Sequence, residues 1–169
     1  MESRPRIKLT LSPLDKKLEL LGKLFLVLLW SLTVFTFVKL PTTIPTHFNA
    51  SGQADGYGDK LSLIILPFIA TIIYFGLTAL NKYPHVFNYM TEITEDNAQV
   101  QYTIATRMLR FLKLAVLIIF SFIIIFTYLT TIGVTKGLGI WFLPVTSGLI
   151  LIPTIISIIQ SSRKTDDPA

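Results

Sequence analysis

The sequence predicts an all-α polytopic membrane protein, four transmembrane helices with a folded extracytoplasmic loop between helices 1 and 2. Two observations carry that expectation. Of 169 residues, 51% are hydrophobic and only 15% charged, against roughly a quarter charged in soluble domains. Four runs also reach the roughly 20 apolar residues that a helix needs to cross a bilayer. They lie at about 20–40, 61–80, 111–132 and 138–160. Because lipid offers no partners to backbone N–H and C=O groups, each run is expected to be helical, and none shows the alternation of a barrel strand. The lipid bilayer is thus the first expected partner, and one domain, 1–169, accounts for the chain.

The first element begins before its apolar run. Ser12 is placed to cap a helix, Pro13 suits its first position and Asp15 faces the positive end of the helix dipole. Leu14, Leu18 and Leu21 share a face, as expected of an interfacial turn feeding the first span. That run is too long for a signal h-region and no A-x-A-like site follows it, so a retained anchor is expected. Further along, Pro67, Pro144 and Pro153 are expected to kink their helices. The spans hold no ionisable residue near a midplane, with Lys23, Lys39 and Lys113 close enough to the ends to snorkel. Thr33, Thr36, Tyr74, Thr78, Ser121 and Thr127 remain as polar contacts between helices.

Charge orients the spans. With a cytoplasmic N-terminus, all of the 15 basic residues except Lys39, Lys60 and Lys136 lie on the inner side, among them Arg4, Lys16, Lys82, Arg107, Arg110, Arg163 and Lys164. This is a strong positive-inside pattern, with both termini cytoplasmic and the plasma membrane as the expected location. Basic span ends facing anionic headgroups account for the net charge of +5, so no nucleic-acid partner is expected. The absence of cysteine excludes disulfides, thiolate metal sites and cysteine nucleophiles.

The outer loop, 41–60, concentrates the distinctive polar chemistry. Pro41 and Pro45 make a stiff, non-helical arm, and Gly52, Gly56 and Gly58 supply turn positions. A structureless loop of this length is uncommon unless it folds on itself or binds something. Three readings compete. The loop could be a compact cap, with Asp55 and Asp59 bonding turn amides. It could be a recognition surface for an extracytoplasmic peptide or small ligand, using His47, Asn49, Gly52, Asp55, Gly58, Asp59 and Lys60. Thirdly, Asn49, Asp55 and Asp59 are weak candidates for Ca²⁺ ligands, although their spacing is no EF-hand. No cofactor and no resident metal are expected.

The inner loop, 81–110, should break at Lys82-Tyr83-Pro84 and restart with Thr94 as a cap. Ala98, Tyr102, Ala105 and Leu109 then mark one face of an amphipathic helix on the inner leaflet, whose basic end continues into the third span. Asn97, Gln101 and Arg107 are candidates for docking a cytoplasmic regulator. Catalysis finds little support: the two histidines, His47 and His85, fall on opposite sides, and H-E-x-x-H, a nucleophile elbow and a P-loop are all absent.

The run Leu40-Pro41, Ile44-Pro45-Thr46-His47-Phe48-Asn49, Gly52, Asp55, Gly58 and Lys60 resembles the signature of an uncharacterised bacterial membrane domain. Phe87-Asn88-Tyr89, Ile93-Thr94-Glu95, Asn97-Ala98, Gln101-Tyr102 and Ala105-Thr106-Arg107 resemble its second motif. That domain also forms the N-terminal part of SdpI-type immunity proteins. The resemblance covers about the first three spans, and proteins of that type carry further membrane helices after it. It implies a multi-pass plasma-membrane protein that protects against a secreted toxic peptide and holds a repressor at the membrane. The expected function is therefore non-enzymatic, immunity or sensing through the outer loop. The alternatives are a small permease or transporter subunit and, third, a metal-dependent membrane enzyme.

Overall fold

The structure is a computed structural model that describes residues 4–163. Lys164, counted above with the inner basic residues, and the C-terminal end lie outside the described residues. There are four helices, α1 (Pro13–Lys39), α2 (Ile65–Leu80), α3 (Glu95–Thr131) and α4 (Phe142–Arg163), with two short strands, β1 (Thr43–Phe48) and β2 (Ala54–Asp59), between α1 and α2. All four helices are long and apolar enough to cross a membrane, α2 together with the 3-10 turn Lys60–Ile64 before it. The chain is thus mostly helical, at 69%, and is a multi-pass membrane protein by length and composition.

Each helix start follows from local chemistry. Ser12 accepts from Asp15 N while the Asp15 carboxylate accepts from Ser12 N, a reciprocal capping box with Pro13 in the first turn. Thr94 and Asn97 form a second box at the start of α3. Between α2 and α3, Pro84–Val86 makes one 3-10 turn where the break was expected. Pro67 and Pro144 sit in the first turns of α2 and α4. There a missing N–H removes no intrahelical bond, so the expected kinks reduce to Pro153, inside α4.

The expected surface helix and third span are one unbroken α3 of 37 residues. At 1.5 Å per residue it extends about 55 Å, so nearly half of it projects beyond a hydrocarbon core of about 30 Å. α3 is the hub: it packs against α1, α2 and α4. The apolar core gathers Leu29 from α1, Ala70 and Tyr74 from α2, and Leu117 and Ile124 from α3, closed at one end by Leu40, Ile44 and Leu63. α4 contributes no buried residue.

The interhelical hydroxyls behave differently from expectation. Thr33, Ser121, Thr146, Thr154 and Ser157 each bond the carbonyl four residues back on their own helix, which leaves them as small packing groups. Among the described residues, hydroxyls that do bond across helices include Thr71, which accepts from Trp30 Nε1 at 3.0 Å, Thr78, which accepts from Lys113, and Ser161, paired with Gln101.

Candidate functional site

The loop between α1 and α2 is a β-hairpin. β1 and β2 pair antiparallel from Thr43↔Asp59 to Phe48↔Ala54, with irregular register around His47. Asn49 Oδ1 accepts from Ser51 N and Gln53 N and so shapes the turn. Gly52, at φ +73, then lies against the connection between α3 and α4. Leu138 N donates to Gly52 O at 2.6 Å and Ala54 N to Lys136 O at 3.2 Å. Backbone bonds therefore tie the two connecting loops together at one end of the bundle.

Several expected ligand-binding residues are occupied in building this cap. Asp59 Oδ1 accepts from Leu61 N and caps the following 3-10 turn. Lys60 Nζ donates to Phe37 O at 3.1 Å and Leu40 O at 3.2 Å, closing the C-terminal carbonyls of α1, and lies over the Phe37 ring. Gly58 leaves room for the Thr46 side chain. His47 and Asp55 remain. They pair across the strands, Nδ1 to Oδ1 at 2.5 Å, with 70% and 42% of their side chains exposed. An exposed pair contributes about 0–1 kcal/mol, so the fold depends little on it. Tyr57 stands exposed beside them. Asp55 and Asp59 lie four residues apart on one strand, about 13 Å at the usual rise. The structure therefore does not bring Asn49, Asp55 and Asp59 around one ion.

The opposite end carries a charged network that the sequence reading missed. Asp15 and Glu19, four apart on α1, face Arg107, Arg110 and Lys113, spaced by three on α3. Arg107 Nε donates to Asp15 Oδ1 at 2.9 Å and Arg110 Nε to Glu19 Oε1 at 3.0 Å. Lys113 Nζ donates to Glu19 Oε2 at 2.6 Å and to Thr78 Oγ1 at 3.0 Å, over the Tyr74 ring. Lys113 does not snorkel: its side chain is 0% exposed. The signal was an acidic pair at i, i+4 on one helix against a basic triplet at i, i+3, i+6 on another.

The three residues expected to dock a regulator are scattered among internal contacts. Asn97 completes the α3 cap and donates to Glu92 O, Gln101 is buried against Ser161 of α4, and Arg107 holds Asp15. Nearby, the N-terminal segment is strapped down: Arg4 donates to His85 O and Phe87 O, and Tyr102 Oη donates to Pro5 O. Burial, with Tyr102 alongside, pushes the Tyr89 phenol well above its ordinary range.

Residues 24–71 match a family described as a domain of unknown function, DUF1648. The matched stretch contains the whole hairpin. It runs from within α1 through the cap into α2, the region whose motif the sequence made distinctive. An uncharacterized protein of Archaeoglobus fulgidus is 35% identical over an alignment 86 positions long that covers 46% of this chain and 47% of that protein. The chain thus spans about half the length of that relative. No solved structure matches.

Proposed function

We propose that this chain is a non-enzymatic, multi-pass membrane protein that recognises an extracytoplasmic peptide at the hairpin, in an SdpI-like immunity or sensing role. The observation that carries the reading is the His47–Asp55 pair. It is polar, exposed and of little use to stability, while Asn49, Asp59 and Lys60 are engaged inside the cap. Among the described residues β2 has only β1 as a strand neighbour, and beyond Ala54, which bonds the α3–α4 connection, its other edge offers main-chain groups for an added peptide strand, with His47, Asp55 and Tyr57 as side-chain contacts. The positive-inside asymmetry supports an outward-facing hairpin. The proposed role does not extend to a cytoplasmic regulator, because Asn97, Gln101 and Arg107 all hold bonds within the chain.

The lack of cysteine makes sidedness directly measurable. In intact cells, a membrane-impermeant maleimide should label His47→Cys and leave Lys82→Cys unlabelled until lysis. The reverse pattern would remove an outward recognition surface. Recognition itself is tested by His47→Ala and Asp55→Ala, each expected to cut protection against the secreted peptide at least tenfold at normal expression. Full protection in both variants would sink the binding role, and solute flux in vesicles would then favour a permease.

A further inference from the structure

The end of the bundle opposite the hairpin holds a cavity of about 350 Å³, lined by apolar and charged side chains, between the N-terminal segment, α1, the end of α2 and α3. Its volume falls within the usual range for small-ligand sites, about 300–1,000 Å³. Asn81, on its wall, has both side-chain atoms, Nδ2 and Oδ1, buried without a hydrogen-bond partner. Buried amides are normally satisfied by protein groups or ordered water, so this one has an open donor and an open acceptor for a bound molecule that brings both.

Charge selects the acceptor. Arg107, Arg110 and Lys113 face only Asp15 and Glu19 in the adjoining network, which leaves one positive charge in excess. Arg110 and Glu19 both line the cavity, joined Nε to Oε1, and among the described residues Glu19 is the single carboxylate on a wall where Arg110 is only 6% exposed. Lys8 and Lys82, both exposed, add two cations on the cavity wall. Ile7 and Leu11 form part of the same wall and expose apolar surface at 36% and 40%. A cationic, amide-bearing cavity with an apolar lip, placed where helices leave the hydrocarbon layer, suits a phosphate whose ester partner is lipid.

We propose that this cavity binds a phosphate group that also carries a hydroxyl, as in a phosphoglycerol lipid headgroup. The phosphate would sit among Arg110, Lys8 and Lys82 and accept from Asn81 Nδ2, while the hydroxyl donates to Asn81 Oδ1. The site is independent of the hairpin and of any ligand there.

Thermal unfolding of the full chain in neutral detergent, at fixed ionic strength, tests the site. Dioctanoyl phosphatidylglycerol should raise Tm saturably, and dioctanoyl phosphatidylcholine should not. Asn81→Leu should keep or raise the basal Tm, because it removes the orphaned amide, yet abolish the lipid-dependent rise. Lys8→Ala with Lys82→Ala, both on the exposed wall, should weaken apparent affinity at least tenfold. An equal rise with inorganic phosphate would support the phosphate site and name the free anion as its ligand; no rise with inorganic phosphate assigns the site to lipid. Equal responses to the two lipids, no response to phosphatidylglycerol, or an undiminished rise in Asn81→Leu would overturn the proposal.

Discussion

Replacing Glu19 by Gln is expected to cost about 2–4 kcal/mol of folding stability, near the usual loss when one partner of a buried ion pair is removed, because Glu19 is 22% exposed but its partner Lys113 is fully buried. Each Glu19 oxygen has its own cation, Arg110 Nε at 3.0 Å and Lys113 Nζ at 2.6 Å. A neutral amide keeps the shape but only one acceptor, so whichever way it turns its N–H donors face one of the two cations, Arg110 or Lys113. Glu19→Gln combined with Lys113→Met should recover at least half of the loss, because the stranded charge leaves with its partner. Denaturant titration in detergent micelles, followed by circular dichroism, measures both. A single-variant loss below about 1 kcal/mol would mean that water reaches Lys113 and that the network acts as an ordinary surface cluster.

Gly52→Ala should be the most damaging small change in the hairpin. At φ +73 an L side chain costs about 1–2 kcal/mol, and the added Cβ would run into the Gly139 backbone. Relief requires moving the α3–α4 connection away, which breaks Leu138 N→Gly52 O and the adjoining Ala54 N→Lys136 O bond, at about 1 kcal/mol each. Hydrogen exchange at the Ala54 and Leu138 amides should quicken well over tenfold. Gly58→Ala is the control: its Cβ meets the Thr46 side chain first, at 3.1 Å, and those amides should stay protected. Unchanged exchange in Gly52→Ala would show that the two loops are not joined.

The four spans were legible because hydrocarbon thickness imposes a length and backbone satisfaction imposes a helix. Both cap residues, Ser12 and Thr94, were readable as local patterns, whereas Asn97, the reciprocal partner of Thr94, was read as a docking residue because its side chain gives no sign of which way it turns. The hairpin was hidden by its own residues. β1, Thr-Ile-Pro-Thr-His-Phe, carries a proline, and β2, Ala-Asp-Gly-Tyr-Gly-Asp, combines two glycines with two aspartates, types depleted in strands. Main-chain pairing and contact with the α3–α4 connection override that weak preference. Lys113 was misplaced for a different reason. Distance from a span end says how far a side chain could reach, whereas its direction depends on which helix face meets α1 and α2.

α4 makes the bundle asymmetric in how it is held. Among the described residues the buried helical side chains all come from α1, α2 and α3, while α4 packs chiefly on α3 and is hydrogen-bonded near its ends, by the clasp at Gly52 and by Gln101 with Ser161. Two anchors fix where such a rod stands, while its long flanks stay open to acyl tails. Exchange of neighbouring hydrocarbon along those flanks therefore leaves the charged contacts at the far side of α3 undisturbed.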